Sequence, residues 1–159
     1  MSQVLDLWRK TQGIPVVGTR LFSFAFGQKA PYFSSIRPHF TVLEPNHVEL
    51  VIPKRRRVHN HLKTVHAIAL CNGLEAAMGA LAEATIPVGK RWIPKGMEVS
   101  YTAKATTDIT CYAETEPEQW TSDALPDAGG DLPVKVWGTT TDGTVVIDGT
   151  IRLWVTDKK

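Results

Sequence analysis

The hydrophobic pattern of the first 33 residues predicts short N-terminal elements. Apolar residues recur at a helical period through residue 11, and Gly13 and Pro15 end the helix that they predict. That stripe consists of Val4, Leu5, Leu7, Trp8 and Thr11. Residues 17–33 fit either a second short helix or an extended segment, and Pro31 closes the segment in both cases.

The pattern changes to a period of two between residues 36 and 53, which predicts a β-hairpin. Residues 36–45 alternate loosely and residues 47–53 alternate cleanly, with a turn at Pro45 and Asn46. The second strand leads into a basic run, residues 54–57.

Residues 62–85 predict the one long helix of the chain, because they are rich in alanine and leucine and contain no proline. Asn60 and Thr64 are both suitable caps, and Pro87 with Gly89 ends the helix. Small residues such as Gly73 recur on one face. We therefore expect strands to approach this helix closely and to wrap around it.

The chain beyond Pro94 is strand-like. Four strands are predicted, separated by a short polar turn, by the loop 117–133 and by a turn at Asp142 and Gly143. The strands cover residues 95–105, 108–116, 133–141 and 144–156. Gly149 inside the last strand suggests a β-bulge.

This order of elements predicts an α+β fold, in which consecutive antiparallel strands pack on a single long helix. One helix covers only one face of such a sheet, which argues for dimerisation. We expect one domain over residues 1–159, with an N-terminal helical extension (1–30) and a core (31–157).

Composition supports a globular domain. The chain has 159 residues, of which 43% are hydrophobic and 21% charged, and these values exclude disorder, collagen and coiled coil as descriptions of the whole chain. We find no stretch of about 18 apolar residues and no secretion signal. With only two cysteines, Cys71 and Cys111, we expect no disulfide framework and a cytoplasmic protein.

The segment before the long helix resembles a motif of hotdog-fold acyl-CoA thioesterases, the phenylacetate-pathway type among them. That motif is Asn-x-x-Gly-x-x-His-Gly-Gly, with an Asp or Glu nine residues after the His. Here Asn60, His66 and Glu75 fall in register. Lys63 replaces the first glycine, and Ala67 and Ile68 replace the glycine pair. Over roughly residues 30–157 the chain is most similar to a poorly characterised thioesterase-like branch of the superfamily, a domain of unknown function.

The resemblance implies a hotdog fold, a homodimer or dimer of dimers, and an acyl-CoA or similar thioester as substrate. Coenzyme A then enters as part of the substrate, and no separate cofactor or metal is implied. The Ala67 N–H matches a group that polarises the thioester carbonyl, and Glu75 matches a general base or nucleophile that commonly acts across a dimer interface. Asn60 and His66 match positions that bind or orient the carbonyl and the attacking water.

Simpler structural roles remain open for each of these residues. Glu75 is also typical of a solvated helix face, His66 of a core histidine and Asn60 of a cap. His59, His61 and His66 do not have the helical spacing that is usual for metal-binding histidines. Cys71 has no His or Asp at a spacing suited to a nucleophilic role.

Three interpretations fit the basic run of Lys54, Arg55, Arg56 and Arg57: a solvated strand exit, a site for coenzyme A phosphates, or a nucleic-acid site. A net charge of +2 and the absence of a basic face with interleaved aromatics disfavour nucleic acid. The expected substrate-binding residues are Arg55, Arg56, Arg57, Lys63, Ile68, Asn72, Lys90 and Arg91.

Thioester hydrolysis is therefore the favoured function. Three alternatives stay open at the level of the sequence. The departures at Lys63, Ala67 and Ile68 favour a non-catalytic acyl-binding protein. A hydratase or dehydratase would pair a His with an acid, as His66 and Glu75 would allow. A purely structural or partner-binding domain is the third.

Overall fold

The computed structural model describes residues 3–14, 17–125 and 128–158. Its helices are α1 (Gln3–Gln12), α2 (Gly18–Lys29) and α3 (Ala67–Thr85). Its strands are β1 (His39–Glu44), β2 (His47–Ile52), β3 (Lys90–Tyr101), β4 (Ile109–Glu114), β5 (Gly130–Thr139) and β6 (Val145–Asp157). Short 3₁₀ turns span Pro31–Ile36, Arg56–Val58 and Pro117–Trp120. The predicted element order is confirmed.

All six strands form one antiparallel sheet in the order β1-β2-β4-β5-β6-β3, and α3 packs against its inner face. This is the predicted α+β architecture, with one central helix and a sheet around it. The hairpins β1–β2 and β5–β6 lie where the turns at Asn46 and Gly143 predicted them. Gly143 adopts a φ of +88°, a conformation that glycine enters without strain.

The N-terminal segment is helical in both parts. Residues 17–33 form α2 and the beginning of the first 3₁₀ turn, which decides between the two structures that the sequence allowed. Burial of Phe22 stabilises α2. The Phe22 ring lies between Trp8 of α1 and Phe40 of β1, with ring centroids 5.0 and 5.2 Å away. The first two helices therefore belong to the core. Pro15, predicted to help end α1, lies outside the described residues.

The long helix begins later than predicted, at Ala67 instead of residue 62. Residues 60–64 form a tight loop in which Lys63 has a φ of +61°, and an antiparallel bridge joins His59 to Val65. Neither Asn60 nor Thr64 caps the helix, because the cap is His66. The predicted end is confirmed, since α3 stops at Thr85, shortly before Pro87.

Glycine lets α3 approach the sheet, as predicted. A Cβ atom at position 73 would meet the Cδ1 atom of Ile52 on β2 and would lie 2.7 Å from the Cys111 sulfur on β4. Both of these side chains are fully buried. Among the described helices, α3 is long and apolar enough to span a membrane by length and composition, contrary to our expectation of no such stretch. Burial of 67% of that window inside the fold is typical of a core helix.

The prediction of a β-bulge at Gly149 is wrong. Gly149 pairs in regular register with Val99 and Val136, and the register shifts lie elsewhere, among them one between Pro94 and Gly96 of β3. Gly149 is required for a different reason: a Cβ atom there would collide with the backbone carbonyl oxygen of Glu98. Strand β3 also begins at Lys90, five residues earlier than predicted.

We expect Gly73→Ala to destabilise the protein although alanine favours helix by about 1 kcal/mol. Overpacking against Ile52 and Cys111 costs about 1–3 kcal/mol. Gly79→Ala is the matched control on the same helix, because its Cβ would make an ordinary 3.4 Å contact with Trp92. Urea unfolding of both variants measures the difference. Equal stabilities would contradict the close approach at position 73.

Candidate active site

The side chain of Asn60 organises the loop before α3. Its Oδ1 accepts hydrogen bonds from the N–H groups of Leu62 and Thr64, at 2.9 and 3.1 Å, and its Nδ2 donates to the Thr64 hydroxyl at 2.8 Å. The same loop places Lys63 in the left-handed region, a conformation that glycine adopts most easily. This explains why a glycine at this position suits the motif. The asparagine amide is therefore committed to shaping the loop.

His66 caps the first turn of α3. Its Nδ1 accepts a hydrogen bond from the Ile68 N–H at 3.1 Å, which assigns the ring proton of the neutral imidazole to Nε2. Its own N–H donates to the Val58 carbonyl at 2.7 Å, and its carbonyl accepts from Leu70. His66 is solvent-exposed, so the hypothesis of a core histidine is wrong.

Two N–H groups in the first turn of α3 remain without an acceptor among the described residues, those of Ala67 and Ala69. The first N–H groups of a helix have no intrahelical partner, and the helix dipole adds partial positive charge there. Because His66 already satisfies Ile68, the donors that remain for a carbonyl oxygen are those of Ala67 and Ala69.

A cavity of about 210 Å³ lies at this end of α3, between the helix and the first 3₁₀ turn. We call it the amide cavity. Its lining residues are Tyr32, Ser35, Ile36, Arg57, Val58, His59, His66, Ile68, Ala69 and Asn72. Four of these, Arg57, His66, Ile68 and Asn72, were expected from the sequence.

Two polar atoms of the amide cavity's lining residues are buried and lack a hydrogen-bond partner: Oδ1 of Asn72 and Nε2 of His59. Asn72 is only 6% exposed, and its Nδ2 donates to the Ser35 hydroxyl at 3.2 Å. Unpaired buried polar atoms cost about 1–3 kcal/mol each, so such atoms are suited to a bound polar group or water. Sequence reasoning missed Ser35 entirely, because no motif surrounds it.

Glu75 does not line the amide cavity. It lines a separate cavity of about 300 Å³ with residues 94–97 of β3 and Ile151 of β6. It is half-buried, so it does not sit on the fully solvated face that its alternative interpretation required. Strand β3 is an edge strand that pairs with β6 alone. The structure of one chain therefore does not bring Glu75 together with His66.

The basic run divides on folding. Arg57 lines the amide cavity, Arg55 donates through Nη2 to the Ser35 carbonyl at 2.7 Å, and Arg56 is exposed and lines no described cavity. Lys54 Nζ donates to the Thr106 carbonyl. Lys63 is exposed in the loop before α3.

Lys90 and Arg91 are distant from this group. They begin β3, just beyond the C-terminal end of α3, and the 19 residues of that helix span about 28 Å. Lys90 forms an ion pair with Asp157 at 2.9 Å and donates to the Leu125 carbonyl at 3.1 Å. The structure therefore does not bring these two residues to the amide cavity.

The two cysteines have structural surroundings, and the histidines form no metal site among the described residues. The Cys71 sulfur lies 3.2 Å from the Tyr101 hydroxyl, and this contact raises the pKa of Tyr101 to about 12. Burial raises the pKa of the Cys111 thiol, which keeps it protonated and unreactive. Within the described residues, no group of three His, Cys, Asp or Glu side chains is arranged to hold a metal ion.

Comparison with known proteins shows the family and the fold. The family model of DUF4442, a domain of unknown function, matches residues 18–155. The crystal structure of a structural genomics target is 43% identical, with a TM-score of 0.81, and the match covers 96% of this chain and 99% of that chain. The search of curated proteins gave no match.

Two further solved structures carry thioesterase names. A probable thioesterase of unknown function from Pseudomonas aeruginosa is 22% identical, with a TM-score of 0.79 over 88% of this chain and 96% of that chain. A hypothetical thioesterase from Streptococcus pneumoniae, solved with coenzyme A, is 13% identical, with a TM-score of 0.65 over 84% and 98%. These structures share the fold with this chain, and the predicted hotdog resemblance is confirmed.

We expect the role of His66 as a cap to be measurable. His66→Ala should lower the free energy of unfolding by about 1 kcal/mol, because the Ile68 N–H loses its acceptor. His66→Asn should retain most of the stability, since asparagine is among the preferred caps. Urea unfolding curves of the two variants test this. An unchanged free energy of unfolding in His66→Ala would show that the cap contributes nothing.

Proposed function

This chain belongs to the DUF4442 family, and we propose that it hydrolyses the thioester of an acyl-coenzyme A. The observation that carries the proposal is the free Ala67 N–H at the N-terminus of α3, beside a cavity with unpaired buried polar atoms. A donor held in place by a helix is suited to stabilise the oxyanion that forms when a thioester carbonyl is attacked. The thioesterase names of the structural neighbours support the same chemistry.

The proposed active site is shared between two copies of the chain. Strand β3 is a 12-residue edge strand that pairs with β6 alone, so a second β3 can pair along its outer side. Glu75 lies beside this edge. In a homodimer joined there, Glu75 of one copy faces the amide cavity of the other. A dimer of dimers and a cytoplasmic location stay predictions.

The reaction needs one base and one oxyanion donor. The thioester carbonyl oxygen accepts a hydrogen bond from the Ala67 N–H, and the Glu75 carboxylate takes a proton from water. The hydroxide oxygen forms a bond to the carbonyl carbon, and the negative charge moves to the carbonyl oxygen. As the tetrahedral intermediate collapses, the carbon–sulfur bond breaks. The thiolate then receives the proton from Glu75, which leaves a carboxylic acid and a free thiol.

Asn60 and His66 act as positioning residues in this mechanism. Asn60 holds the loop that sets the start of α3, with its Oδ1 bound by two backbone N–H groups and one of its two Nδ2 hydrogens donated to the Thr64 hydroxyl. His66 occupies the Ile68 N–H, so Ala67 and Ala69 provide the free donors of this turn. Nε2 of His66 carries a proton and can donate to the water or to the substrate.

A non-catalytic acyl-CoA-binding protein is the second candidate. Ile68, at a position where the motif has glycine, is 57% exposed and lines the amide cavity. A branched side chain there narrows the approach of water to the carbonyl. Tight binding of acyl-CoA without turnover would select this function.

Ala67→Pro removes the proposed oxyanion donor without removing the helix. Proline is favoured at the first helical position, and the preceding His66 has the extended conformation (φ −65°, ψ 139°) that proline requires before it. We expect unchanged circular dichroism and thermal stability, with hydrolysis of acyl-CoA reduced by about 10²–10³-fold in kcat. Ala67→Ser retains the N–H and is the control. Full activity of the proline variant would refute this role.

Glu75→Gln should abolish hydrolysis, because the amide cannot accept a proton from water. Glu83→Gln is the matched control on the same helix: Glu83 accepts a hydrogen bond from Trp92 Nε1, and glutamine keeps an oxygen for it. Steady-state rates on a panel of acyl-CoA substrates test both variants. Equal rates for Glu75→Gln and the wild type would remove Glu75 from the mechanism.

Mixed dimers test whether the site is shared. If Ala67→Pro and Glu75→Gln chains are unfolded together and refolded, each heterodimer holds one intact site made from both copies. About half of the dimers are then mixed, and activity should return to roughly a quarter of the wild-type value. No recovery would place Glu75 and the amide of one site in the same chain.

A further inference from the structure

A larger cavity lies next to the amide cavity, between α2 and the start of β1. Its volume is about 560 Å³, which is in the range of small-molecule sites. Three arginines line it, Arg20, Arg37 and Arg57, together with His39 and the aromatic ring of Phe24, and no carboxylate does. We call it the arginine cavity. Arg20, Arg37, His39 and Phe24 belong to no motif in the sequence.

The positive charges of the arginine cavity have no counter-charge in the described part of the chain. None of its three arginines forms an ion pair with a described carboxylate. Burial and the charge of Arg20 lower the pKa of His39, while burial together with Arg37 and Arg57 lowers the pKa of Arg55. Like charges gathered in this way repel one another, and a bound anion relieves the repulsion.

The backbone holds these cations in place. Arg37 ends the first 3₁₀ turn with a φ of +49°, a conformation that costs a non-glycine residue about 1–2 kcal/mol. Arg55 donates to the Ser35 carbonyl of that turn, and its Nε is buried without a partner. A strained turn with an unsatisfied guanidinium beside it does not add stability, which favours a binding role for this segment.

We propose that the arginine cavity binds the phosphate groups in the nucleotide part of a coenzyme A thioester. Guanidinium groups donate paired hydrogen bonds to phosphate oxygens, and three of them are available here. Phe24 is 66% exposed at the same cavity and offers a face on which adenine can stack. Identifying the ligand as coenzyme A rests on the proposed function.

The position of Arg57 connects the two sites. It lines both the arginine cavity and the amide cavity. In the first 3₁₀ turn, Ser34 lines the arginine cavity and Ser35 lines the amide cavity. A ligand with its phosphates at Arg57 can therefore extend its thioester end toward the first turn of α3. The N-terminal helix α2, which the resemblance left without a role, becomes part of the substrate site.

Titration calorimetry with coenzyme A, 3′,5′-adenosine diphosphate and pantetheine tests the proposal. The wild-type protein should bind both nucleotides and should bind pantetheine, which lacks phosphate, at least about tenfold more weakly. Arg20→Gln and Arg57→Gln should each weaken both nucleotides by about tenfold and leave pantetheine unchanged. Arg56→Gln is the matched control, because Arg56 has the same charge but lines neither cavity.

Kinetics provide a second readout if the chain is active. Arg20→Gln should raise KM for acyl-CoA about tenfold, with little change in kcat, and should not affect acyl-pantetheine. Equal weakening of nucleotide binding by Arg56→Gln and Arg57→Gln would overturn the proposal, because it would show a general charge effect. Equal affinity for coenzyme A and pantetheine would overturn it as well.

The remaining outcomes separate this proposal from its neighbours. Arginine-dependent nucleotide binding without any hydrolysis supports the arginine cavity and refutes the proposed hydrolase. Equal kcat/KM for acyl-CoA and acyl-pantetheine refutes the arginine cavity as a phosphate site and supports the proposed hydrolase. Exposed Val17 and Leu21 on or next to α2 also suit a lipid surface. Sedimentation with phosphatidylglycerol vesicles that depends on Arg57, without nucleotide binding, would assign these phosphate contacts to lipid and overturn the proposal.

Discussion

The contact between α3 and the sheet at Gly73 sets the position of everything around it. With only hydrogen at that position, Ile52 of β2 and Cys111 of β4 fill the space that a side chain would take. The helix therefore lies deep against the sheet, and its residues from Ala76 to Ala82 are all buried. Close packing of this kind contributes dispersion energy that a helix held further away would lose.

The depth of α3 also creates the candidate site. Asn72 is buried to 6% exposure. Its Nδ2 donates a hydrogen bond to the Ser35 hydroxyl of the first 3₁₀ turn, and its Oδ1 remains unpaired. Upstream, the Val65 N–H donates to the Ala105 carbonyl and the His66 N–H to the Val58 carbonyl. These bonds hold the chain extended up to His66, so the helix starts at Ala67, and Ala69, which carries one of the two free N–H groups, lines the amide cavity.

The candidate groups lie in three places. Ala69 with its free N–H lies at the amide cavity, the arginines lie beside it with Arg57 in common, and Glu75 lies about two turns further along α3 than Ile68, against the edge strand. Nine residues of helix turn Glu75 about half a revolution away from His66, since each residue advances by 100°. His66 and Glu75 are close in the sequence, but they therefore point in different directions from the helix axis.

The sequence by itself determined the order of the elements and the type of α1, α3 and the strands. Alternation gave the hairpins, the small-residue face of α3 indicated its close contact with strands, and the motif aligned Asn60, His66 and Glu75. These features depend on residues near one another along the chain, where periodicity and turn chemistry act. Only the tertiary structure decided that α2 is a helix, that His66 and not Asn60 is the cap, and that Gly149 avoids a neighbouring carbonyl instead of forming a bulge. It also joined Arg20, Arg37 and Arg57 around one cavity and separated Lys90 and Arg91 from it. These outcomes depend on contacts between distant segments, such as Phe22 with Phe40 and Gly149 with Glu98, and no local pattern encodes which segments meet.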